Sequence, residues 1–285
     1  MNYQDEHIIE AAGKTRVVIR DGTVVFVGES MISECPLARK FNSPVNNMNH
    51  EEIKKNVEER IHSFGMCTKK RELLSDDDFV LFGASELLSS ALKGGLIDCA
   101  VIACDGAGTV VAANPLLIQG IGGKMSGLVK TCPYADVIEK INKNGGHVVF
   151  PDNASIDSYE GFLKARELGF SRIAVTVAKG EDAKKIREIS DDVVIIAVHT
   201  TGADLDESKQ YSENCDIISA CASSHIRDIA GKMALIQGGV SVPVFAMTTV
   251  GKKIILEKIK DTSAQILIKG NKLPITFGKD PSPLK

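Results

Sequence analysis

Short apolar runs recur through the middle of the chain: "FVLF" (79–82), "CAVIA" (99–103), "HVVF" (147–150), "RIAVTVA" (172–178), "VVIIAV" (193–198), "DIISA" (216–220) and "PVFAM" (243–247). Most are separated by segments with helical periodicity, such as "SELLSSALKGG", "ADVIEKINKNGG", "YEGFLKARELG", "EDAKKIREIS", "HIRDIAGKMALIQGG" and "GKKIILEKIK". Several of these end in glycine, a helix stop signal. Strands that are apolar throughout are those buried on both faces. The alternation therefore predicts a three-layer, doubly wound α/β fold, a mostly parallel sheet with helices on both faces. The alternative is an incomplete α/β barrel, because a full barrel takes eight units and about seven candidate strands are present.

The two ends read differently. In "TRVVIRDGTVVFVGE" (15–29) two β-branched runs flank Asp21-Gly22, which predicts a tight hairpin. "AQILIKGNKLPITFG" (264–278) predicts a second hairpin turning at Gly270-Asn271, and the two hairpins are expected to form one small β subdomain. Residues 50–62 predict a helix, with Asn49 as its cap, Glu52 three residues on and Gly65 as its stop. The expected division is 1–75 for the N-terminal hairpin, loops and helix, 76–262 for the α/β core, and 263–285 for the C-terminal hairpin.

Composition narrows the function classes. A chain of 285 residues, 44% hydrophobic and 25% charged, is an ordinary soluble globular protein. A net charge of -3 gives no global pull toward nucleic acid, and the absence of Trp argues against stacking platforms. No apolar stretch is long enough to span a bilayer, and the N-terminus lacks a basic start and an apolar core, so a cytoplasmic protein is expected. In that reducing compartment the seven cysteines are expected to be fillers, ligands or nucleophiles rather than disulfides.

Sites in either architecture form at the carboxyl ends of the parallel strands. The predicted strands deliver there Gly83-Ala84-Ser85-Glu86, Cys104-Asp105-Gly106, Pro151-Asp152-Asn153, Lys179-Gly180, His199-Thr200-Thr201-Gly202, Cys221-Ala222-Ser223-Ser224 and Thr248-Thr249. Ser85 and Ser223 read as helix caps and Asp152-Asn153 as turn residues. Caps do not explain cysteine at two strand ends and histidine at a third.

Four chemistries use residues of these types. Phosphate binding would use "GAGTV" (106–110) and "GIGGKMSG" (120–127), with Gly106, Gly108, Gly122, Gly123 and Lys124 as cofactor-binding candidates. Neither the Walker nor the dinucleotide spacing is met, so the loops offer only a backbone approach to an anion. Metal or cluster ligation would use cysteines in loops or at strand ends: Cys35, Cys67, Cys104, Cys132 and Cys221. Cys99 and Cys215 begin strands and are expected to be packed, and no CxxC occurs. Nucleophilic catalysis would pair Cys104 or Cys221 with His199, oriented by Asp105. Metal-dependent hydrolysis, suggested by the opening hairpin, is rejected because none of the six histidines forms a His-x-His.

Seven stretches together carry a family resemblance: "CPLA" (35–38), "FGMCT" (64–68), "FGASE" (82–86), "AVIACDGAGTVV" (100–111), "QGIGGKMSGLVKT" (119–131), "AVHTTG" (197–202) and "CASSHIRDIAG" (221–231). They resemble the methanogenesis marker protein 8 family. The resemblance implies an archaeal, cytoplasmic protein linked to methane metabolism in a strictly anaerobic cell, and it carries over no site residue.

The leading expectation is an iron–sulfur cluster or other metal held by Cys35, Cys67, Cys104 and Cys221, with Asp105, His199 and Thr200 nearby. Its role would be in catalysis or in maturing a methanogenesis enzyme or cofactor. The second is a metal-free enzyme or binding protein for a small anionic metabolite. The third is a non-catalytic partner of a methanogenesis protein complex, with a homo-oligomer as a further arrangement.

Overall fold

In the computed structural model residues 5–124, 127–276 and 280–285 are described. The chain starts in a small antiparallel sheet of β1 (Glu6–Ala11), β2 (Thr15–Arg20) and β3 (Thr23–Val27). Asp21 and Gly22 both take left-handed dihedrals (φ 48 and 67), the primed turn whose twist matches the flanking strands. Along β2, Thr15, Val17 and Ile19 are buried, and Val17 and Ile19 share a core with α1 (His50–Phe64), which contributes Ile53, Val57, Ile61 and Phe64.

Both ends of α1 follow the expected chemistry. Asn49 accepts the Glu52 N–H at 2.8 Å, and Gly65 closes the helix in the left-handed region (φ 73). Replacing Asn49 by alanine is expected to cost about 1 kcal/mol, read as a lowered urea midpoint; an unchanged midpoint would show that the cap carries no stability.

The core begins at α2 (Ala84–Lys93), β4 (Cys99–Cys104), β5 (Gly108–Ala112) and α3 (Pro115–Gly122). β6 (Gly127–Lys130) then leaves the core to pair antiparallel with β1. The chain continues through α4 (Ala135–Lys143), β7 (Gly146–Val148), α5 (Ser158–Glu167), β8 (Ile173–Val177), α6 (Gly180–Ile189), β9 (Val194–Ala197), α7 (Leu205–Asn214), β10 (Ile217–Ser219) and α8 (Ser224–Met233). It closes with β11 (Ile236–Gly238), β12 (Val244–Ala246) and α9 (Thr249–Asp261). The large sheet has the order β11-β12-β10-β9-β8-β4-β5-β7. Its centre, β4, β8, β9 and β10, is parallel, and antiparallel strands extend both sides.

Apolar side chains of α2, α3, α4 and α9 pack on one face of this sheet, and those of α5, α6, α7 and α8 on the other. The fold is the expected three-layer α/β arrangement with an open sheet and no closed barrel. No helix among the described residues is long and apolar enough to cross a membrane.

Three elements differ from expectation. "FVLF" (79–82) is a loop, not a strand: the Phe79 and Val80 amides, which a ladder would need, are taken by the Glu86 carboxylate. The segment read as one helix, "HIRDIAGKMALIQGG", stops at Met233, and Ile236–Gly238 pairs with β12. The C-terminal hairpin is not formed by residues 264–276, where Leu267 and Ile268 lie exposed; Phe277 and Gly278 of that run lie outside the described residues. Nearer the terminus, Ser282 bridges to Glu34, while β1 and β6 supply the strands that complete the small sheet.

Candidate functional site

At the carboxyl end of β4 the "CDGAG" segment is a clamp. Asp105 is fully buried, its Oδ1 accepting from Arg71 Nε at 2.9 Å and its Oδ2 from the Cys67 N–H. Arg71, also fully buried, donates onward to the carbonyls of Gly120 (3.2 Å) and Ile121 (3.3 Å) in the last turn of α3, and to that of Glu72. Burial alone would raise the Asp105 pKa, but the Arg71 guanidinium and the Cys67 N–H outweigh it and hold the carboxyl below its ordinary value. Asp105 thus ties the loop after α1 to the core and has no lone carboxylate edge to offer a substrate.

The other residues of that loop are likewise occupied. Cys104 is buried, its thiol pushed up by burial and then by Asp105 while donating to the Asp105 carbonyl at 3.3 Å. Space beside the candidate phosphate-cradling glycines is filled by the protein itself. A Cβ on Gly106 would meet Tyr134 at 2.8 Å, one on Gly108 the Ala154 carbonyl at 2.3 Å, one on Gly122 Ser85 at 2.9 Å and one on Gly123 Gln119 and Phe79 at 2.7 Å. Met125 and Ser126 of the second loop lie outside the described residues.

A different group assembles at the ends of β9 and β10, where the small sheet meets the large one. His199 follows β9 in the left-handed region (φ 56), unusual for a residue with a Cβ, and its ring lies against Gly127 of β6. Lys14 (φ 59), in the turn after β1, donates from Nζ to the Thr201 carbonyl at 3.2 Å. Arg60 reaches from α1 to donate to the Lys124 carbonyl. The Lys124 ammonium lies 5.3 Å from the Phe64 ring centroid and 3.9 Å from Glu72. Such outliers gather at sites where surrounding structure over-determines the backbone.

Although His199 is exposed, the protein packed against one side of its ring lowers its pKa below the ordinary value, and the Lys14 and Arg60 charges push the same way. The imidazole is therefore mostly neutral at physiological pH. The unfolded ring binds its proton near pH 6.5. Stability from this residue is therefore present above that pH and lost as pH falls toward the folded value. A C2–H NMR titration, with its assignment made by His199→Asn, is expected to give this ring a midpoint below the ordinary value of about 6.5; a midpoint at or above that value would contradict the environment described.

Thr200 is buried and fully used, donating to the Ser219 carbonyl and accepting the Cys221 N–H at 3.2 Å. It locks the ends of β9 and β10 together. The Cys221 thiol is pushed up by burial, only partly offset by the Thr200 hydroxyl, with Cys35 close by. Among the described residues no hydrogen bond joins His199 to the thiol of Cys104 or Cys221, so the expected thiolate–imidazole pair is not formed.

The four cysteines expected to share a metal fall into two pairs. Cys67 and Cys104 are buried beside the Asp105–Arg71 clamp, whereas Cys35 and Cys221 are only partly buried, away from it and near enough for the charge of one to act on the other. Among the described residues the one group of three candidate ligand atoms within 4.8 Å is Asp5, His7 and Cys132. At the amino edge of the sheet, a hollow lined by Arg187, Asp216 and Thr248 is closed by its own bonds, since Asp216 accepts from Arg187, Ile195 and Thr248.

Lys14, Arg60, Arg71, Asp5, His7 and Tyr134 were not singled out by sequence. Two signals were available. Asp5 and His7 stand two apart at the start of β1, the spacing that puts residues on one face of an extended chain, and Gly13-Lys14 interrupts two apolar runs. Nothing local marks Arg60 or Arg71 as different from other basic residues near a helix end.

These observations define a three-layer α/β protein with a small sheet set over the carboxyl edge of its parallel strands and basic side chains at the junction. The chain belongs to the family described as "Uncharacterized protein conserved in archaea (DUF2099)", whose model matches residues 7–260. It is 42% identical over 284 residues to "Uncharacterized protein MJ0054" of Methanocaldococcus jannaschii, covering 98% of this chain and 99% of that one. Among solved structures, a chain of the xenon-derivatised F420-reducing [NiFe] hydrogenase complex from Methanosarcina barkeri matches with a TM-score of 0.33 and 14% identity, over 62% of this chain and 72% of that one. A likeness of that size carries no argument.

Proposed function

We propose that the protein binds a small anionic metabolite of methane metabolism at the junction of its two sheets, with His199 as the group that exchanges a proton with it. One observation carries this reading: Lys14 reaches from the small sheet to the Thr201 carbonyl at 3.2 Å, two residues from an exposed His199 held in a left-handed conformation at a parallel strand end. The Lys14 ammonium favours an anion, and a neutral imidazole close to it in the chain fold serves as donor or acceptor at neutral pH. The motif resemblance supports the link to methanogenesis and a cytoplasmic setting, and membership of an archaeal family is consistent with both.

Thermal-shift titration with inorganic phosphate, pyrophosphate and di- and tricarboxylates tests this. A ligand present at 100 times its Kd stabilises by about 2.7 kcal/mol. Lys14→Ala is expected to weaken the best anion by about 10- to 100-fold, as for a lost charged hydrogen bond, with little change in unliganded stability. The reading fails if no anion exceeds sodium chloride of equal ionic strength, or if Lys14→Ala binds as wild type does.

A further inference from the structure

Away from the His199 junction, the start of β1 and the segment after β6 bring Asp5, His7, Cys132 and Tyr134 together. We infer that Asp5, His7 and Cys132 form a divalent transition-metal site of the zinc class. It is independent of the anion-binding proposal and uses none of the cysteines Cys35, Cys67, Cys104 and Cys221.

Geometry is the first support. His7 Nε2 lies 3.5 Å from Cys132 Sγ and 3.6 Å from Asp5 Oδ1. Tetrahedral zinc with ordinary bond lengths sets its ligand atoms about 3.3–3.6 Å apart. Two edges of the coordination polyhedron are thus already near their working lengths, and the third lies within 4.8 Å. Charge is the second. A carboxylate, a thiolate and a neutral imidazole balance a dication, which suits a partly buried position. His7 is fully buried, whereas Asp5 and Cys132 are half-buried, so a cation enters from their side.

The hydrogen bonds around His7 supply the third. Tyr134 Oη donates to Asp5 at 2.6 Å and so accepts from His7 Nε2–H at 2.8 Å. The other nitrogen, Nδ1, lies 2.7 Å from Thr131 Oγ1, a hydroxyl able to donate or accept. When a metal takes Nε2, the ring proton sits on Nδ1 and Thr131 accepts it, the outer-shell partner that ligating histidines need. Tyr134 Oη then turns to the Cys67 carbonyl, 3.3 Å away. The Cys132 proton leaves to solvent as its sulfur–metal bond forms. Thr131 also accepts the Gly106 N–H at 2.8 Å, so the site's outer shell reaches the "CDGAG" loop.

Cobalt(II) is the probe. Chelator-stripped full-length protein is titrated anaerobically, and absorption is followed for d–d bands and a sulfur-to-cobalt charge-transfer band. The inference expects one cobalt per chain with both features, displaced by zinc. Cys132→Ser is expected to abolish the charge-transfer band, and Asp5→Asn to weaken binding at least 10-fold. Tyr134→Phe is expected to retain both features, because it removes a competitor for His7 and Asp5 rather than a ligand. Circular dichroism identifies any variant that has failed to fold, and Asp5→Asn, half-exposed and near the chain start, then serves as the deciding variant. Absence of a charge-transfer band in wild type overturns the site, as does a band that survives in Cys132→Ser or affinity unchanged in Asp5→Asn.

Discussion

Replacing Asp105 by asparagine is expected to destabilise the fold by about 3–5 kcal/mol, the loss typical when one partner of a buried ion pair is removed. Arg71 would be left fully buried with its charge uncompensated, beneath the Phe64 ring 5.0 Å away. The Cys67 N–H would face a weaker acceptor or an amide donor. Because the Asp105 pKa is depressed in the folded state, its contribution is present above the unfolded carboxyl value. It is lost as pH falls through the folded one. Urea unfolding at pH 7 should therefore separate wild type from Asp105→Asn widely, with the gap narrowing in strong acid. Asp105→Asn unfolding within 0.5 kcal/mol of wild type, roughly the range of a neutral surface change, would return Asp105 to the list of catalytic candidates.

Gly108→Ala is the second large effect. This glycine opens β5 with φ 72, and a methyl group there would sit 2.3 Å from the Ala154 carbonyl oxygen. The left-handed backbone costs a residue with a Cβ about 1–2 kcal/mol, and overpacking adds about 1–3 kcal/mol. The neighbouring strand position makes relief difficult. Thr109 N–H and Oγ1 both donate to the Ser155 carbonyl at 3.0 Å, and Oγ1 accepts the Asp157 N–H, so β5 and the 154–157 segment are held together. Gly95 separates the two costs, since its φ is 68 with nothing within 4 Å. Gly95→Ala is expected to lose only the backbone part, and equal losses at the two positions would refute the close-approach account.

These two positions also show where sequence reading succeeded and where it stopped. The parallel core strands, α1 with its Asn49 cap and Gly65 stop, and the Asp21-Gly22 hairpin depend on local chemistry, and that chemistry is visible in a window of a dozen residues. "CDGAGTV" fails the same reading because glycine is ambiguous. Gly106 and Gly108 turn a tight antiparallel hairpin between β4 and β5, while the residues were expected to form an exposed loop. "FVLF" misleads because four apolar residues fit a strand, and the competing acceptor, Glu86, becomes evident only in three dimensions.

The candidate sites were legible as an edge but not as partners. His199, Thr200 and Cys221 were correctly placed at strand ends. What each does is set by residues far away in sequence: Lys14 meets Thr201 across 187 positions, and His7 meets Cys132 across 125. Burial adds the remaining difference. Cysteines next to glycine, proline or threonine were expected to be exposed, yet Cys67 and Cys104 are enclosed by the Asp105–Arg71 clamp.

The central claim, an anion held where the small sheet covers the parallel strand ends, is tested most directly by an anomalous difference map from crystals soaked in tungstate, a tetrahedral oxyanion. The account predicts a peak within reach of the Lys14, Arg60 and His199 side chains that disappears in Lys14→Ala crystals. A map whose peaks lie only on other basic surfaces, with that junction empty at full soak, would contradict it.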